Sequence, residues 1–443
     1  MHARLSVIFS FTILISLVLA GCASHPNVQP QINSLVIAER FDQALQILQQ
    51  HKEGYGKNNE LLFLLDEGMV LHLSKKYEQS IAAFAQAKAK FDELYTRSLS
   101  KISASLIVND YTMPYRGEDF ERVMINIFQA LNYAMIGNIE EALVEARDAD
   151  TTLTAINMQY DPGQKNVYKE DAFARLLMGV LYEISGKSAD RNDAFISYVK
   201  ALDIYEKDYS YNYALSVPEI LKENLIRAAR YMGASEQKKF IKKFAGIDRR
   251  EDAFSGKDKA EVYLIHYRGL SPVKIQSSFT APLPGGLLGR IAFPKYKERN
   301  VGDQPYSFQA KRGGTTVVRE DTELGEDISA IAIKNLKNRQ FRLVAKSVGR
   351  SAGKYFLAKK QAENIGKKHG DAAEEAFLFA SSLYNIYSEQ ADIRSWQTLP
   401  GEVRVARLQV QPGVYKFYLN ADLIGEHALK AGESKVLIYR TTY

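Results

Sequence analysis

The chain has 443 residues, of which 46% are hydrophobic and 25% charged, with a formal net charge of +6 and a single cysteine. This composition is typical of a globular protein with two or more domains. The mild, interspersed positive charge argues against a dedicated nucleic-acid-binding protein. One cysteine excludes an internal disulfide, so the fold depends on packed cores.

The N-terminal segment has the pattern of a secretory signal peptide. Arg4 precedes an apolar run from Leu5 to Leu19. The run is about as long as a signal-peptide core and short for a membrane-spanning helix. Small residues, Ala20 and Gly21, then lead to Cys22. This order of basic start, apolar middle and small end predicts export from the cytoplasm.

The residues around Cys22 resemble the bacterial lipobox, with the motif Leu19-Ala20-Gly21-Cys22. The resemblance implies that residues 1–21 are removed and that the Cys22 thiol is acylated, as with palmitate. The alternatives are an ordinary signal peptide with a chance cysteine, or a buried thiol. Ala23 and Ser24 follow in place of Asp, which in Gram-negative lipoproteins implies outer-membrane sorting. We therefore expect a lipid anchor on the periplasmic side, with residues 22–32 as a tether.

Residues 33–250 contain three degenerate repeats. Leu61 to Lys90 has small and large residues at spacings that resemble the tetratricopeptide pattern, and Val123 to Leu153 and Ala172 to Lys207 follow it in part. Such repeats are stable only when stacked, and stacking leaves a concave groove that binds peptides or helices. We therefore expect an envelope protein partner to bind the helical repeats. The alternative is an irregular helical bundle. The residues that carry the pattern are Gly68, Leu71, Tyr77, Phe84, Ala87, Ala130, Tyr133, Ala142, Ala149, Gly179, Tyr182, Ala194, Tyr198 and Ala201.

A turn-rich stretch separates the first two repeats. Pro114 disfavours a helix just before it, and Gly117 allows a sharp turn. Glu118 and Asp119 follow, where a helix N-terminus favours negative charge. The pattern predicts a helix start. The alternative is a functional acidic pair beside Tyr111, Tyr115 and Arg116.

Residues 251–443 predict a second domain made mainly of strands. Short β-branched and aromatic segments alternate with turns, and helical periodicity returns only at about 325–392. We therefore expect a β-sandwich-like domain with a helical hairpin insertion, and an α+β protein overall. Ala345, Gly349 and Gly353 predict close packing of the two hairpin helices. A basic surface helix on anionic lipid or a cell-wall polymer is the alternative.

Trp396, the only tryptophan, lies between the hairpin and the closing strands. A tryptophan at such a junction usually packs two elements together. We predict a buried wedge between the hairpin and the strands, with the two domains keeping separate cores. Stacking on a ligand is the alternative.

Three segments together resemble a family of uncharacterised Gram-negative bacterial lipoproteins with tetratricopeptide-like repeats. They are the lipobox, the stretch YRGEDFERV that begins at Tyr115, and the segment around Trp396. The resemblance implies the architecture and the location. It brings no settled biochemical activity.

Catalytic motifs are absent from the sequence. The seven histidines are scattered, and there is no HExxH, no GxSxG and no GxxxxGK[ST] motif. We therefore predict no catalytic residues, no metal, no cofactor and no nucleic-acid partner. The expected function is that of a non-enzymatic scaffold or adaptor in envelope assembly. The alternative is an envelope glycan or peptide hydrolase with a carboxylate-based site in the C-terminal domain.

Overall fold

The structure is a computed structural model that describes residues 28–98, 113–158, 160, 167–245, 258–282, 288–299, 302 and 304–442. The predicted signal peptide and Cys22 lie outside the described residues. Helices account for 58% and strands for 21% of the described residues, and the C-terminal strands form sheets. The mixed helix-and-sheet class is as the sequence predicts.

Helices fill the first half of the chain. The first, α1, begins within the range predicted as a tether. The helices are α1 (Gln29–Ile37), α2 (Phe41–Gln50), α3 (Lys52–Tyr55), α4 (Glu60–Leu73), α5 (Tyr77–Ser98), α6 (Asp119–Met135), α7 (Ile139–Met158), α8 (Ala172–Ile184), α9 (Asp190–Ile204), α10 (Ser210–Tyr213), α11 (Glu219–Met232) and α12 (Ala234–Lys243). A 3₁₀ turn (Lys57–Asn59) precedes α4, and a π-helical turn (Tyr205–Tyr209) extends α9.

Consecutive helices pack as hairpins, in the pairs α4–α5, α6–α7, α8–α9 and α11–α12. Glycine permits the close approach in two of them. A Cβ at Gly68 would lie 2.5 Å from the Phe84 ring, and one at Gly179 would lie 2.3 Å from the Tyr198 ring. Only a residue without a side chain fits at these two positions.

The described residues of the second half contain ten strands. They are β1 (Ala260–Arg268), β2 (Val273–Pro282), β3 (Leu288–Lys297), β4 (Ser307–Arg312), β5 (Thr315–Asp321), β6 (Glu323–Asp327), β7 (Glu402–Val410), β8 (Gly413–Leu419), β9 (Asp422–Leu429) and β10 (Ser434–Thr441). One four-stranded sheet has the order β10-β1-β7-β6, and the other has the order β5-β4-β8-β9. β2 and β3 form a separate antiparallel ribbon. β1 pairs with β7 in antiparallel and with β10 in parallel orientation.

The sheet that contains β1 is covered on both faces. Val262 and Leu264 point into a small core shared with Phe308 and Phe417 of the second sheet. Side chains at alternate positions of β1, including Tyr263, instead join a large core made mostly of helical residues. The expectation of separate cores is therefore wrong, because strands alternate their side chains between two faces and both faces here are apolar.

Buried polar contacts also join the helices to β1. The imidazole of His72 on α4 contacts the Asn132 side chain at 2.6 Å and the Tyr267 hydroxyl at 2.9 Å. Burial lowers the pKa of His72 to about 4, so this ring is neutral at ordinary pH. At a second contact between helices and sheet, Arg227 of α11 forms ion pairs with Glu183 of α8 and Glu261 of β1. Hydrogen bonds and ion pairs therefore join the helices to the sheet, in addition to apolar contacts.

A long helical hairpin interrupts the strands, as predicted. It consists of α13 (Ile328–His369) and α14 (Asp371–Ser388), within the expected range 325–392. The prediction that Ala345, Gly349 and Gly353 lie between the two helices is wrong. A Cβ at Gly349 or Gly353 would have no atom within 4 Å, so both glycines face open space. The buried face of α13 instead includes Ser347, Ser351 and Tyr355.

Candidate functional site

Two sites stand out among the described residues. The first, here called the junction cluster, consists of Asp66, Glu118, Glu121, Lys274, Trp396 and Thr398. It forms where the segment between α14 and β7 lies against α4 and α6. The second is a cleft beside strand β10, here called the edge cleft.

Glu121 is the centre of the junction cluster. Its carboxylate accepts hydrogen bonds from the Tyr115 hydroxyl at 2.6 Å, from the Glu118 backbone N–H at 2.9 Å and from the Trp396 backbone N–H at 2.8 Å. Burial raises the pKa of Glu121 to about 7, although Lys274 and these donors oppose the rise. The carboxylate thus ties the start of α6 to the segment that contains Trp396.

Asp66 on α4 holds the same segment two residues further on. It accepts hydrogen bonds from Tyr55, Gln29 and Thr398, the last at 2.9 Å. The Thr398 hydroxyl in turn accepts the indole N–H of Trp396 at 2.9 Å. Burial raises the pKa of Asp66 to about 6. An indole, a hydroxyl and a carboxylate therefore form one buried chain of hydrogen bonds.

Trp396 is buried, as predicted, with 1% of its surface exposed. Its neighbours differ from those expected. The indole packs edge-on against Phe84 of α5 at 5.7 Å and Phe128 of α6 at 6.0 Å, between ring centroids. It therefore joins the strand-rich half to the helical half, and the expected wedge between hairpin and strands is wrong.

The predicted helix start is also seen. Glu118 and Glu121 form a reciprocal capping box at the N-terminus of α6. The Glu118 carboxylate is buried and pairs with Lys274 of β2 and Arg339 of α13. Asp119 accepts a hydrogen bond from the Tyr160 hydroxyl at 2.7 Å. The two acidic residues thus have structural partners on other elements.

The structure brings Tyr115, Glu118 and Trp396 together around Glu121. Arg116 is exposed, outside this cluster. Cys22, the predicted lipidation site, lies outside the described residues. Burial lowers the pKa of Lys274, with Asp392 and Glu121 opposing that shift.

Sequence reasoning missed Glu121, Asp66 and Lys274. Two signals were available. Glu121 stands three residues after Glu118, which is the capping-box spacing. Asp66 interrupts the apolar run ELLFLLDEGMVL, where a charge signals a buried partner. Nothing in the sequence near Lys274 indicates that it pairs with a residue more than a hundred positions away.

A cleft of about 430 Å³ opens beside the junction cluster, lined in part by Lys274, Arg299 and Arg394. These cations already have partners within the chain. Arg299 donates to the carbonyls of Ser271 and Gln397, and Arg394 donates to Asp392 and Asn59. The cleft is therefore built from groups that hold the surrounding loops in place.

The edge cleft is larger, about 590 Å³, and lies between β10, β9 and the ends of helices α5, α6, α7 and α8. Five consecutive residues of β10, 434–438, line it. Neighbouring side chains of a strand point to opposite faces. A lining of consecutive residues therefore means that the edge of β10 is turned to the cleft. The other walls include the apolar side chains Met135, Ile139, Ile184 and Ile424, together with the polar side chains Lys75, His427 and Glu433.

The backbone of β10 offers hydrogen-bonding groups to this cleft. β10 pairs with β1 on one side and is the outermost strand of its sheet. Glu433 and Thr441 direct their carbonyls to the N–H groups of Glu261 and Gly269. Alternate residues of a paired strand face opposite ways, so Ser434, Val436 and Ile438 direct their backbone groups away from β1. An outermost strand with outward-facing groups can accept another strand.

The described residues were searched for metal-binding clusters and for membrane-spanning helices. The described residues contain no group of three or more His, Cys, Asp or Glu side chains placed to hold a metal ion. Among the helices in the described part of the chain, none combines the length and the apolar character needed to cross a bilayer.

Comparisons with known proteins give no assignment. No protein-family model matches the chain. A search of curated proteins gives no match either.

Proposed function

We propose that this protein is a non-enzymatic lipoprotein on the periplasmic side of the outer membrane, where it binds an extended segment of an envelope protein. The observation that carries the proposal is the edge cleft, with its outward-facing β10 backbone and apolar walls. Strand addition at a sheet edge gives affinity through backbone hydrogen bonds, and side-chain pockets give specificity. The five residues of β10 in the cleft span roughly 16 Å, enough for a short peptide.

The helical half is proposed to consist of tetratricopeptide-like repeats. The support comes from the contacts of Gly68 with Phe84 and of Gly179 with Tyr198, which follow the small-to-large spacing of that pattern. The inner helices α4, α6 and α8 are buried almost along their length, and the strand-rich half covers them. The partner site expected on the helical repeats is therefore proposed to lie at their turns, where the edge cleft is formed.

The lipid anchor rests on the lipobox at Cys22. We expect Cys22→Ser to shift the protein from the outer-membrane fraction to the soluble periplasmic fraction after a high-salt wash. Salt is needed because it screens attraction between the surface and anionic lipid. Cell fractionation and blotting measure the shift. If the variant still pellets with the outer membrane after the wash, the anchor proposal is wrong.

Strand addition is tested with a photo-crosslinking residue at Lys435 in intact cells. We expect an adduct that Ile438→Pro abolishes, because proline removes an N–H directed to the cleft and leaves the ladder with β1 intact. Ile438→Ala is the matched control, since it removes the side chain and keeps the N–H. Its adduct should remain.

Two results would count against strand addition. One is an adduct that persists in Ile438→Pro, and the other is loss of the adduct in both variants at equal folded protein levels. A crosslinker at Val144, an exposed residue on α7, controls for random encounters.

The hydrolase alternative gains no support from the two most perturbed carboxylates of the junction cluster. Asp66 and Glu121 are buried, and both oxygens of each accept hydrogen bonds from groups of this chain.

A further inference from the structure

The hairpin carries a large exposed apolar surface, here called the hairpin surface. On α13 it includes Phe341, which is 84% exposed, and on α14 it includes Phe379 and Tyr387, which are 64% and 78% exposed. The exposed large apolar side chains are Phe341, Val348, Phe356 and Leu357 on α13, and Phe379, Leu383, Tyr384 and Tyr387 on α14. Several recur at helical spacing, so they form stripes along the helices.

The exposed apolar side chains of α13 lie on its solvent-facing side. The opposite face is fixed by polar contacts, with Ser347 and Ser351 bonded to the backbone of β3. Arg350 and Lys354 pair there with the buried Glu389. Gly349 and Gly353, between the exposed apolar residues, face open space. The hairpin surface is thus a separate feature from the packing of the hairpin.

Charge is concentrated on the same hairpin. Residues 328–388 contain eleven Lys and Arg against four Asp and Glu, a net charge of +7, whereas the whole chain has +6. The hairpin therefore accounts for all of the net positive charge. Exposed lysines flank the apolar stripes, at Lys337, Lys346, Lys359, Lys360, Lys367 and Lys368.

We propose that the hairpin surface binds an anionic phospholipid membrane surface. Exposed Phe, Leu and Tyr side chains can enter the boundary between headgroups and acyl chains, while flanking lysines pair with anionic headgroups. A second copy of the chain is a poor occupant, because it would bring two surfaces of charge +7 together. A membrane supplies both the apolar layer and the negative charge.

The position of Val28, where the described chain begins, agrees with a hairpin surface that faces the membrane. Val28 lines the same cleft as Lys274, and Lys274 shares Glu118 with Arg339 of α13. Phe341 follows two residues after Arg339. Cys22 lies six residues before Val28, so the anchor atom is within roughly 20 Å of Val28 even for a fully extended chain. This placement rests on the proposed anchor, but the charge and the apolar surface do not.

The test uses the full chain with Cys22→Ser, so that no lipid anchor contributes. Sedimentation with vesicles measures binding to phosphatidylethanolamine containing phosphatidylglycerol and to phosphatidylcholine alone. We expect binding to the anionic vesicles, weakened by salt, and none to phosphatidylcholine. Lys359→Gln with Lys360→Gln should lower the partition coefficient by roughly 20- to 30-fold, since each basic residue contributes roughly fivefold.

Matched variants separate the hairpin surface from general surface charge. Lys238→Gln with Lys242→Gln changes the same charge on the exposed face of α12 and should leave binding unchanged. Phe356→Ser should weaken binding to the anionic vesicles at low salt, because the ring is exposed and its loss leaves the core intact.

Three outcomes overturn the proposal: no binding to anionic vesicles, equal loss with the α12 pair, or a dimer in solution that Phe356→Ser converts to monomer. The last would show that the hairpin surface is a self-contact. None of these outcomes bears on the edge cleft, so this proposal and the partner proposal fail independently.

Discussion

At the scale of single residues, two buried acids of the junction cluster, Asp66 and Glu121, are held by hydrogen bonds and form no ion pair with a Lys or Arg among the described residues. Glu121 accepts three hydrogen bonds, yet burial still raises its pKa to about 7. The loss of water outweighs the donors because a carboxylate is strongly hydrated. Its ionisation therefore opposes folding.

Glu121 gives the protein a pH-dependent stability. In the unfolded chain its pKa is near 4.5, and in the folded protein it is about 7. Between these values the unfolded chain loses the proton and the folded protein keeps it, so stability falls as pH rises through this window. We expect wild type to lose about 3 kcal/mol relative to Glu121→Gln across the window. Urea unfolding at a series of pH values measures the difference.

The control for this prediction is Glu141→Gln, which changes an exposed acid on α7. This variant shows how much of any pH dependence comes from removing an acid at the surface. If the difference in unfolding free energy between wild type and Glu121→Gln stays constant between pH 4.5 and pH 7, Glu121 does not titrate in this range.

At the scale of elements, glycine marks two kinds of helix position. Gly68 and Gly179 lie under aromatic rings of the neighbouring helix, whereas Gly349 and Gly353 lie in open space on α13. Glycine thus permits close packing between helices of the first half and contributes only chain flexibility at these two positions of the hairpin.

Alanine substitutions distinguish the two kinds. We expect Gly68→Ala and Gly179→Ala to destabilise the protein by about 1–3 kcal/mol each, because the rings of Phe84 and Tyr198 must move. Gly349→Ala, the matched control inside a helix, should be neutral or stabilising by up to about 1 kcal/mol. Denaturant unfolding followed by circular dichroism provides the comparison. Equal costs at all three positions would contradict the assigned contacts.

Local patterns predicted most of the elements. Apolar periodicity indicated the hairpin, and the sequence around Glu118 indicated the start of α6. The sequence could not show that Gly349 faces solvent, since the same spacing of small residues serves packed and exposed helix faces. It also could not show that Glu121 meets Trp396, because that contact joins positions 275 residues apart.

At the scale of the whole molecule, one sheet serves two cores. Tyr263 and Tyr267 of β1 pack into the helical core, while Val262 and Leu264 pack against the second sheet. Strands covered on both faces read as continuous apolar runs, and AEVYLIHYR is such a run. That run gives no indication of which helices cover it, so separate cores were expected.

Because the core is shared, Trp396 stabilises both the helical half and the strand-rich half. Trp396→Ala should cost about 3–5 kcal/mol, as for other large buried aromatics. The loss should appear in the helices as well as in the strands, because the indole packs on Phe84 and Phe128. Hydrogen exchange should therefore accelerate in both α6 and β1. Trp396→Phe should cost less, and acceleration confined to the strands would contradict the shared core.

The pairing of β1 with β10 also determines when folding can finish. Synthesis delivers the helices of the first half before Ser434–Thr441, which forms the parallel neighbour of β1. At ordinary elongation rates, the apolar faces of α4, α6 and α8 wait on the order of tens of seconds for their cover. These apolar faces are therefore prone to aggregation during this interval. A chain that stops before Ser434 keeps every helix and still lacks the strand that completes the sheet.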